Sequence, residues 1–229
     1  MRNQYFGDSK DLLKFDLIEK VLAGIPSLER FTYIVTLTDD QEMMPGSKLG
    51  SNNRQLVEFL EKCLWSERKQ VREIVKYYEP KKTVHIYDVP FKHATRRAYF
   101  DRIPLELLQN SLVSLDPDIG FQSQAPDERH LRFEEAANVL GKMDDSSILM
   151  VFQHLRQGKK LADTIKDINL KLREACDQQM KVSELHELWI SGAGVDFLFV
   201  TRSPKQFEQL HRIATEYREA YPEKTKVWH

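Results

Sequence analysis

Cysteine is nearly absent from this chain of 229 residues, which carries only Cys63 and Cys176. Neither belongs to a CxxC motif, so the sequence predicts neither a disulfide framework nor a structural zinc site. The sequence also shows no secretory leader pattern. Together these observations predict a cytoplasmic protein.

An excess of one charge sign and long apolar runs are missing as well. The 34 lysine and arginine residues nearly cancel the 35 aspartate and glutamate residues. Net charge therefore gives no argument for a nucleic acid or a membrane surface, and any basic surface must be local. No apolar run approaches the ~20 residues that a membrane-spanning helix needs, so we expect no membrane partner. The oligomeric state stays open.

The two common glycine patterns for nucleotide phosphates, GxxxxGK[ST] and GxGxxG, do not occur. One loop, over 43–51, carries Gly46, Ser47 and Lys48 ahead of a predicted helix. Backbone N–H groups at the start of a helix attract phosphates. Gly46 and Lys48 are therefore candidate residues for binding a phosphate or a cofactor.

Short apolar, β-branched runs alternate with helical patterns along the chain. The predicted strands span 31–37, 83–87, 112–115, 148–152, 188–190 and 195–201. The predicted helices span 10–22, 53–78, 95–110, 133–143, 159–178 and 204–220, with one break near Trp65 in the second. Strands separated by helices predict a mostly parallel sheet, whereas the last two strands, joined by a glycine-containing loop, predict an antiparallel hairpin. We expect a single three-layer, Rossmann-like α/β domain over 1–229, with the helical segment 1–30 packed on the sheet. Trp65, Trp189 and Tyr77 are expected in the packed interior.

Acidic and polar side chains follow three of the predicted strands. The first strand ends at Asp39 and Asp40, the third runs into Asp116-Pro117-Asp118, and the fourth ends at Gln153 and His154. Because parallel strands share one carboxyl edge, we expect these groups to line a common cleft. Asp39, Asp116 and Asp118 could hold Mg²⁺ or Mn²⁺, and His154 could act as a base, a ligand or a donor. Helix caps and solvated loops also contain such residues.

A basic and aromatic run, Arg96-Arg97-Ala98-Tyr99-Phe100, suits contacts with phosphates and stacking on bases. Arg96 and Arg97 are therefore candidate substrate-binding residues. Gln153, an uncharged donor and acceptor, could read the edge of a base or bond a loop carbonyl.

The opening Asn3-Gln4-Tyr5-Phe6-Gly7-Asp8 resembles a family of uncharacterised bacterial and phage proteins that begin NQYFGD, followed by an Asp and a Lys. Those proteins also carry a DPD-x-G strand end and a later Gln-His strand end. The matching residues here are Asp116, Asp118, Gly120, Gln153 and His154.

More distantly, the chain is similar to Rossmann-like methyltransferases that use S-adenosylmethionine, including those acting on adenine N6 in ribosomal RNA. Gly7, Asp11 and Lys14 match their Gly-x-x-Asp-x-x-Lys opening with altered framing, and Asp116-Pro117 matches the first half of their catalytic Asp-Pro-Pro-Tyr. This resemblance implies that Lys14 and Asp116 belong to the catalytic site, with the cofactor across the end of the first strand. It also implies the order of a catalytic strand, helix, strand, helix and antiparallel pair.

Three functions remain open at this stage. The first is methyl transfer to a nucleic acid or nucleotide, with Asp116 holding the target amino group. The second is metal-dependent phosphodiester cleavage. It is supported by the three acids and by the bulky, acidic segment 37–42, where those methyltransferases carry glycines, whereas the strand order and Asp116-Pro117 support methyl transfer about equally. The third is a catalytically inactive interaction or sensor module.

Overall fold

A computed structural model describes residues 2–38, 52–66, 69–122, 127, 129–154, 160–180, 184–192, 194–222 and 225–228. The strands are β1 (Arg30–Val35), β2 (Thr83–Tyr87), β3 (Ser111–Asp116), β4 (Gly120–Phe121), β5 (His130–Leu131), β6 (Ile148–His154), β7 (His186–Gly192), β8 (Val195–Thr201) and β9 (Thr225–Trp228). The helices are α1 (Ser9–Gly24), α2 (Arg54–Leu64), α3 (Ile74–Tyr78), α4 (Arg96–Asp101), α5 (Phe133–Lys142), α6 (Leu161–Met180) and α7 (Pro204–Ala220).

The central sheet has the strand order β2-β1-β3-β6-β8-β7-β9. The first four of these strands are parallel, and β8 is antiparallel to both β6 and β7. The predicted mostly parallel sheet and C-terminal hairpin are therefore confirmed. The sheet also has an additional edge strand, β9, which pairs antiparallel with β7.

Helices cover both faces of the sheet, because alternate residues of the buried strands point to opposite sides. Phe31 and Tyr33 of β1 join one apolar cluster with α1, α2, α3 and α7. Ile34 points the other way and joins a second cluster with α4, α5 and α6. The fold is thus a three-layer α/β sandwich, in which α1 belongs to the first cluster.

The helical pattern over 53–78 is divided into α2 and α3, and α2 ends at Leu64, next to the break expected near Trp65. Another predicted helix is shorter than expected. The helix expected over 95–110 ends at Asp101, two residues before Ile103-Pro104, because the residue before a proline disfavours helical backbone. None of the described helices is long and apolar enough to cross a membrane.

Candidate functional site

The strand order reverses between β1 and β3. From β1 the chain first builds β2 on one side and then returns to build β3 and β6 on the other side. In open α/β sheets, ligands bind outside the carboxyl ends of the strands at such a switch point. Here Val35 and Asp116 are register partners at the ends of the two strands, so the Asp-Pro-Asp segment lies at the expected place for a site.

The N-terminal NQYFGD motif docks the start of the chain against this edge. The Asn3 side-chain oxygen accepts the backbone N–H of Val71 at 2.9 Å, and Phe6 is fully buried. Gly7 has a φ of +93°, and a Cβ there would lie 2.6 Å from the carbonyl oxygen of Leu60. Asp8 caps α1 by accepting the N–H groups of its first turn. The motif therefore places α1 with its N-terminus at the carboxyl edge of the sheet.

A buried ion cluster centred on Lys14 joins α1 to β1 and β3. The Lys14 ammonium lies 2.7 Å from Asp11, 2.8 Å from Asp116 and 3.0 Å from the Tyr33 hydroxyl oxygen. The Tyr33 hydroxyl also donates to Asp116, and Gly7 N–H donates to Asp11 at 2.9 Å. The three protons of the ammonium thus have three acceptors, so Lys14 locks the cluster together.

The charged groups of the cluster shift the pKa values of one another. Burial disfavours the charged ammonium of Lys14, but the carboxylates of Asp11 and Asp116 outweigh burial and raise its pKa well above 10.5. Burial also raises the pKa of Asp11, to about 6, against the opposing pull of Lys14. For Asp116 the balance is reversed, because Lys14 and the Tyr33 hydroxyl overcome burial and lower the pKa from 3.8. Asp116 is therefore ionised at neutral pH.

The carboxylate of Asp116 is engaged within the cluster. Its residue is only 1% exposed, and its carboxylate receives bonds from both Lys14 and Tyr33. Asp116 thereby fixes α1 and β1 relative to the end of β3. The expectation that it holds a target amino group stays a prediction.

Asp118 lies two residues further on, in a more open place. Its carboxylate is 3.1 Å from the guanidinium of Arg2, and its side chain keeps 13% exposure. Arg2 belongs to the docked N-terminal segment and is 6% exposed. The pair joins the start of the chain to the loop that follows β3.

His154, at the end of β6, completes this group. Its pKa is lowered to about 4, first by burial and then by the positive charge of Lys10, which outweigh the carboxylates of Asp118 and Asp116. The half-buried ring packs edge-on against Phe152, with 5.0 Å between the centroids. The imidazole is therefore neutral at physiological pH and retains a lone pair that can accept a hydrogen bond or a proton.

Gln153 supports the loop after β3 and does not face a ligand. Its amide oxygen accepts Phe121 N–H at 2.7 Å, and its amide nitrogen donates to the His154 carbonyl at 2.8 Å. Gly120 has a φ of +117°, and a Cβ there would lie 2.4 Å from this amide. The substrate-binding role predicted for Gln153 is corrected, because both ends of the amide bond backbone groups.

The two predicted substrate-binding arginines lie in opposite environments. Arg96 is buried and donates through Nε and Nη2 to both oxygens of Glu135, at 2.7 and 2.8 Å. Arg96 also lines a cleft of about 650 Å³, so its predicted contact with substrate stays a prediction. Arg97 is almost fully exposed, 3.6 Å from Asp101, and lines the same cleft together with Arg132.

Several predicted residues cannot be placed in this site. Asp39, Asp40, Gly46 and Lys48 lie outside the described residues, so the metal, cofactor and phosphate roles predicted for them stay predictions. Within the described ranges, no group of three or more His, Cys, Asp or Glu side chains could hold a metal ion.

The structure therefore brings together Lys14, Asp116, Asp118 and His154, which the sequence nominated as catalytic. Sequence reasoning missed Arg2 and Tyr33 as members of the group. Tyr33 lies in the middle of an apolar strand, and only its register with Ser114, two residues before Asp116, could have suggested the contact.

Comparison with known proteins adds no family assignment, since no family model and no curated protein matches this chain.

Proposed function

We propose that the protein is a methyltransferase-like enzyme that transfers a methyl group from S-adenosylmethionine to a nucleic acid or nucleotide. One observation carries the proposal. The two segments that resemble such enzymes, the opening with Lys14 and the strand end with Asp116, are in direct contact, with 2.8 Å between Nζ and Oδ2. They are 102 positions apart in the sequence, and they meet at the switch point of the sheet.

The strand order supports the same proposal. A catalytic strand, a helix, a strand, a helix and an antiparallel pair are expected from the resemblance, and β3, α5, β6, α6 and the β7–β8 hairpin follow in that order. A shared fold is an argument by analogy, and the chemistry must come from the site.

The charges at this edge are mixed. Asp8, Asp11, Asp116 and Asp118 lie near the cationic side chains of Arg2, Lys10 and Lys14, so net charge does not select the ligand. S-adenosylmethionine would supply an electrophilic methyl group on its sulfonium.

The residues with some access to a ligand are Asp118 and His154. Asp118 would hold a donor group of the cofactor or the acceptor, and the neutral His154 would accept the proton that the methylated amine loses. Lys14 and Asp116 would act as positioning residues that keep both ligands in line.

The metal-dependent alternative has less support. Asp116 and Asp118 each bond a cationic side chain, Lys14 and Arg2, in the place where a metal ion would need free oxygen atoms. A divalent ion would have to break a buried ion pair, which costs several kcal/mol.

A ligand titration separates the functions. We expect S-adenosylmethionine and S-adenosylhomocysteine to raise the melting temperature, with about 2.7 kcal/mol of stabilisation at 100 times the dissociation constant. Mg²⁺ and Mn²⁺ should have no comparable effect. A shift with metal alone would favour hydrolysis, and no shift with any of them would favour an interaction module.

Transfer of labelled methyl groups to bulk RNA and DNA tests the chemistry. His154→Gln should lower incorporation by about 10²-fold or more if the imidazole takes the proton. The matched control is His85→Gln, a half-buried histidine on the edge strand β2, which should leave incorporation unchanged. Equal rates for both variants would remove His154 from the mechanism.

A further inference from the structure

The guanidinium of Arg2 has one unused donor inside the candidate site. Its Nη2 lies 3.1 Å from Asp118, whereas its Nε is buried without a hydrogen-bond partner. A buried donor without an acceptor costs about 1–3 kcal/mol. A group that bonded Nε would recover this cost.

Other described arginines show how this edge can bond a carboxylate, whereas Arg30, like Arg2, has a buried Nε without a hydrogen-bond partner. Nε and Nη2 form one edge of the guanidinium, and a carboxylate can bond both at once. Four arginines use the whole edge on one carboxylate: Arg72 with Asp88, Arg96 with Glu135, Arg129 with Asp127 and Arg173 with Glu187. At Arg2 only half of the edge is used.

Several contacts hold the N-terminal segment, and Arg2 with it, in this position. Asn3 is tied to Val71, Phe6 is fully buried, and Gly7 adopts a backbone conformation that suits glycine. These contacts keep the segment against the carboxyl edge of the sheet. The guanidinium is therefore held beside Asp118, and because Nε is buried, an oxyanion that bonds it must displace the groups that cover it.

We infer that Arg2 Nε binds an oxyanion of the ligand, either a carboxylate or a phosphate. The inference rests on the proposed function for the identity of the ligand, because the cofactor would supply the carboxylate and a nucleotide acceptor the phosphate. Guanidinium edges match both groups in geometry and charge. Asp118, as the neighbouring anion, weakens this binding and so limits it to ligands that also make other contacts.

Three variants test the inference. Arg2→Lys keeps the positive charge beside Asp118 and removes the Nε donor. Asp118→Asn removes the neighbouring negative charge and keeps Arg2. Arg212→Lys, on the exposed surface of α7, is the matched control. Circular dichroism would verify that all three variants fold.

The carboxylate arm compares S-adenosylhomocysteine with 5′-methylthioadenosine, which lacks the amino-acid tail. If the oxyanion is a carboxylate, wild type should prefer the former, and Arg2→Lys should reduce that preference by about tenfold or more. The phosphate arm measures the melting temperature in inorganic phosphate against sodium chloride at equal ionic strength. If the oxyanion is a phosphate, the specific increase should vanish in Arg2→Lys and grow in Asp118→Asn.

The outcomes separate the inference from the proposed function. If both nucleosides bind and Arg2→Lys changes neither the preference nor the phosphate response, the inference is overturned while the proposed function stands. If neither nucleoside binds but the phosphate response depends on Arg2, the proposed function fails and the oxyanion position is retained. The inference is overturned if the wild-type protein shows neither a preference for S-adenosylhomocysteine nor a specific response to phosphate. It is also overturned if Arg212→Lys loses these responses to the same extent as Arg2→Lys.

Discussion

Replacing Lys14 with methionine tests the central ion cluster most directly. Methionine fills a similar volume but leaves the carboxylates of Asp11 and Asp116 buried without their shared cation, which now lies 2.7 and 2.8 Å from them. Removal of one partner from a buried ion pair costs about 3–5 kcal/mol. Since the total stability of a domain is about 5–15 kcal/mol, this loss would be a large share of it.

The loss should depend on pH in a defined direction. In the wild-type protein, Lys14 lowers the pKa of Asp116 from 3.8, so this carboxylate contributes stability above that pH and loses it in acid. In the variant, burial is no longer opposed by Lys14 and raises the pKa of both carboxylates. The variant therefore becomes less stable as the pH rises above about 4. The difference in stability between the two proteins should be smaller at pH 5 than at pH 8.

Urea denaturation followed by circular dichroism at these two pH values measures the free energy of unfolding of both proteins. The comparison requires that its slope with urea concentration is the same in the variant and the wild type. The control is Lys171→Met, which removes an exposed pair with Asp167 on α6 and should cost no more than about 0.5 kcal/mol. A loss below about 1 kcal/mol for Lys14→Met at pH 8, or a loss equal at both pH values, would refute the reasoning.

Three further outcomes are expected from denaturation measurements. Gly7→Ala should cost more than about 2 kcal/mol of stability, because its Cβ would meet a backbone carbonyl of α2. Gly194→Ala, also at positive φ but in open space, should cost about 1 kcal/mol. Equal losses in the two variants would contradict the steric argument. Arg96→Lys should cost about 2 kcal/mol by breaking its two-point bond, and the exposed neighbour substitution Arg97→Lys should cost less than 0.5 kcal/mol. Burial raises the pKa of Asp196 from 3.8 to about 6, so the stability it contributes is present below pH 3.8 and lost as the pH rises through 6. Between pH 4 and pH 7, the free energy of unfolding of Asp196→Asn should therefore rise by roughly 1–2 kcal/mol relative to that of the wild type. A difference in stability that does not change with pH would contradict the raised pKa of Asp196.

The fold was largely predictable because its central strands are short, apolar and β-branched. The predicted bounds for β2 and β8 are correct, and those for β1 differ by two residues at most. The edge strand β9 was missed because Thr225-Lys226-Val227-Trp228 is too short and polar for a clear pattern. Its pairing depends on the neighbouring strand β7, which local sequence does not reveal.

Side-chain environments were less predictable. Trp189 and Tyr77 are buried as expected, but the prediction for Trp65 is wrong, since it is 78% exposed at the end of α2. The local sequence does not distinguish Arg96 from Arg97. Only Arg96 bonds Glu135, because it lies on the buried face of α4. Long-range partners decide such cases, and their identity depends on the assembled fold.

Asp116 and Asp118 show why the candidate site requires the fold as well as the motif. Both carboxylates belong to one Asp-Pro-Asp segment, yet Asp116 is buried against Lys14 and Asp118 stays partly exposed beside Arg2. A substitution of Asp116 should therefore act first on stability, and through stability on any activity. A substitution of Asp118 should cost less stability than one of Asp116, because its side chain is more exposed, and should also lower ligand affinity. If Asp118→Asn unfolds the protein while Asp116→Asn leaves it stable, the division of roles between the two carboxylates is wrong, and the site must be sought elsewhere along the edge of the sheet.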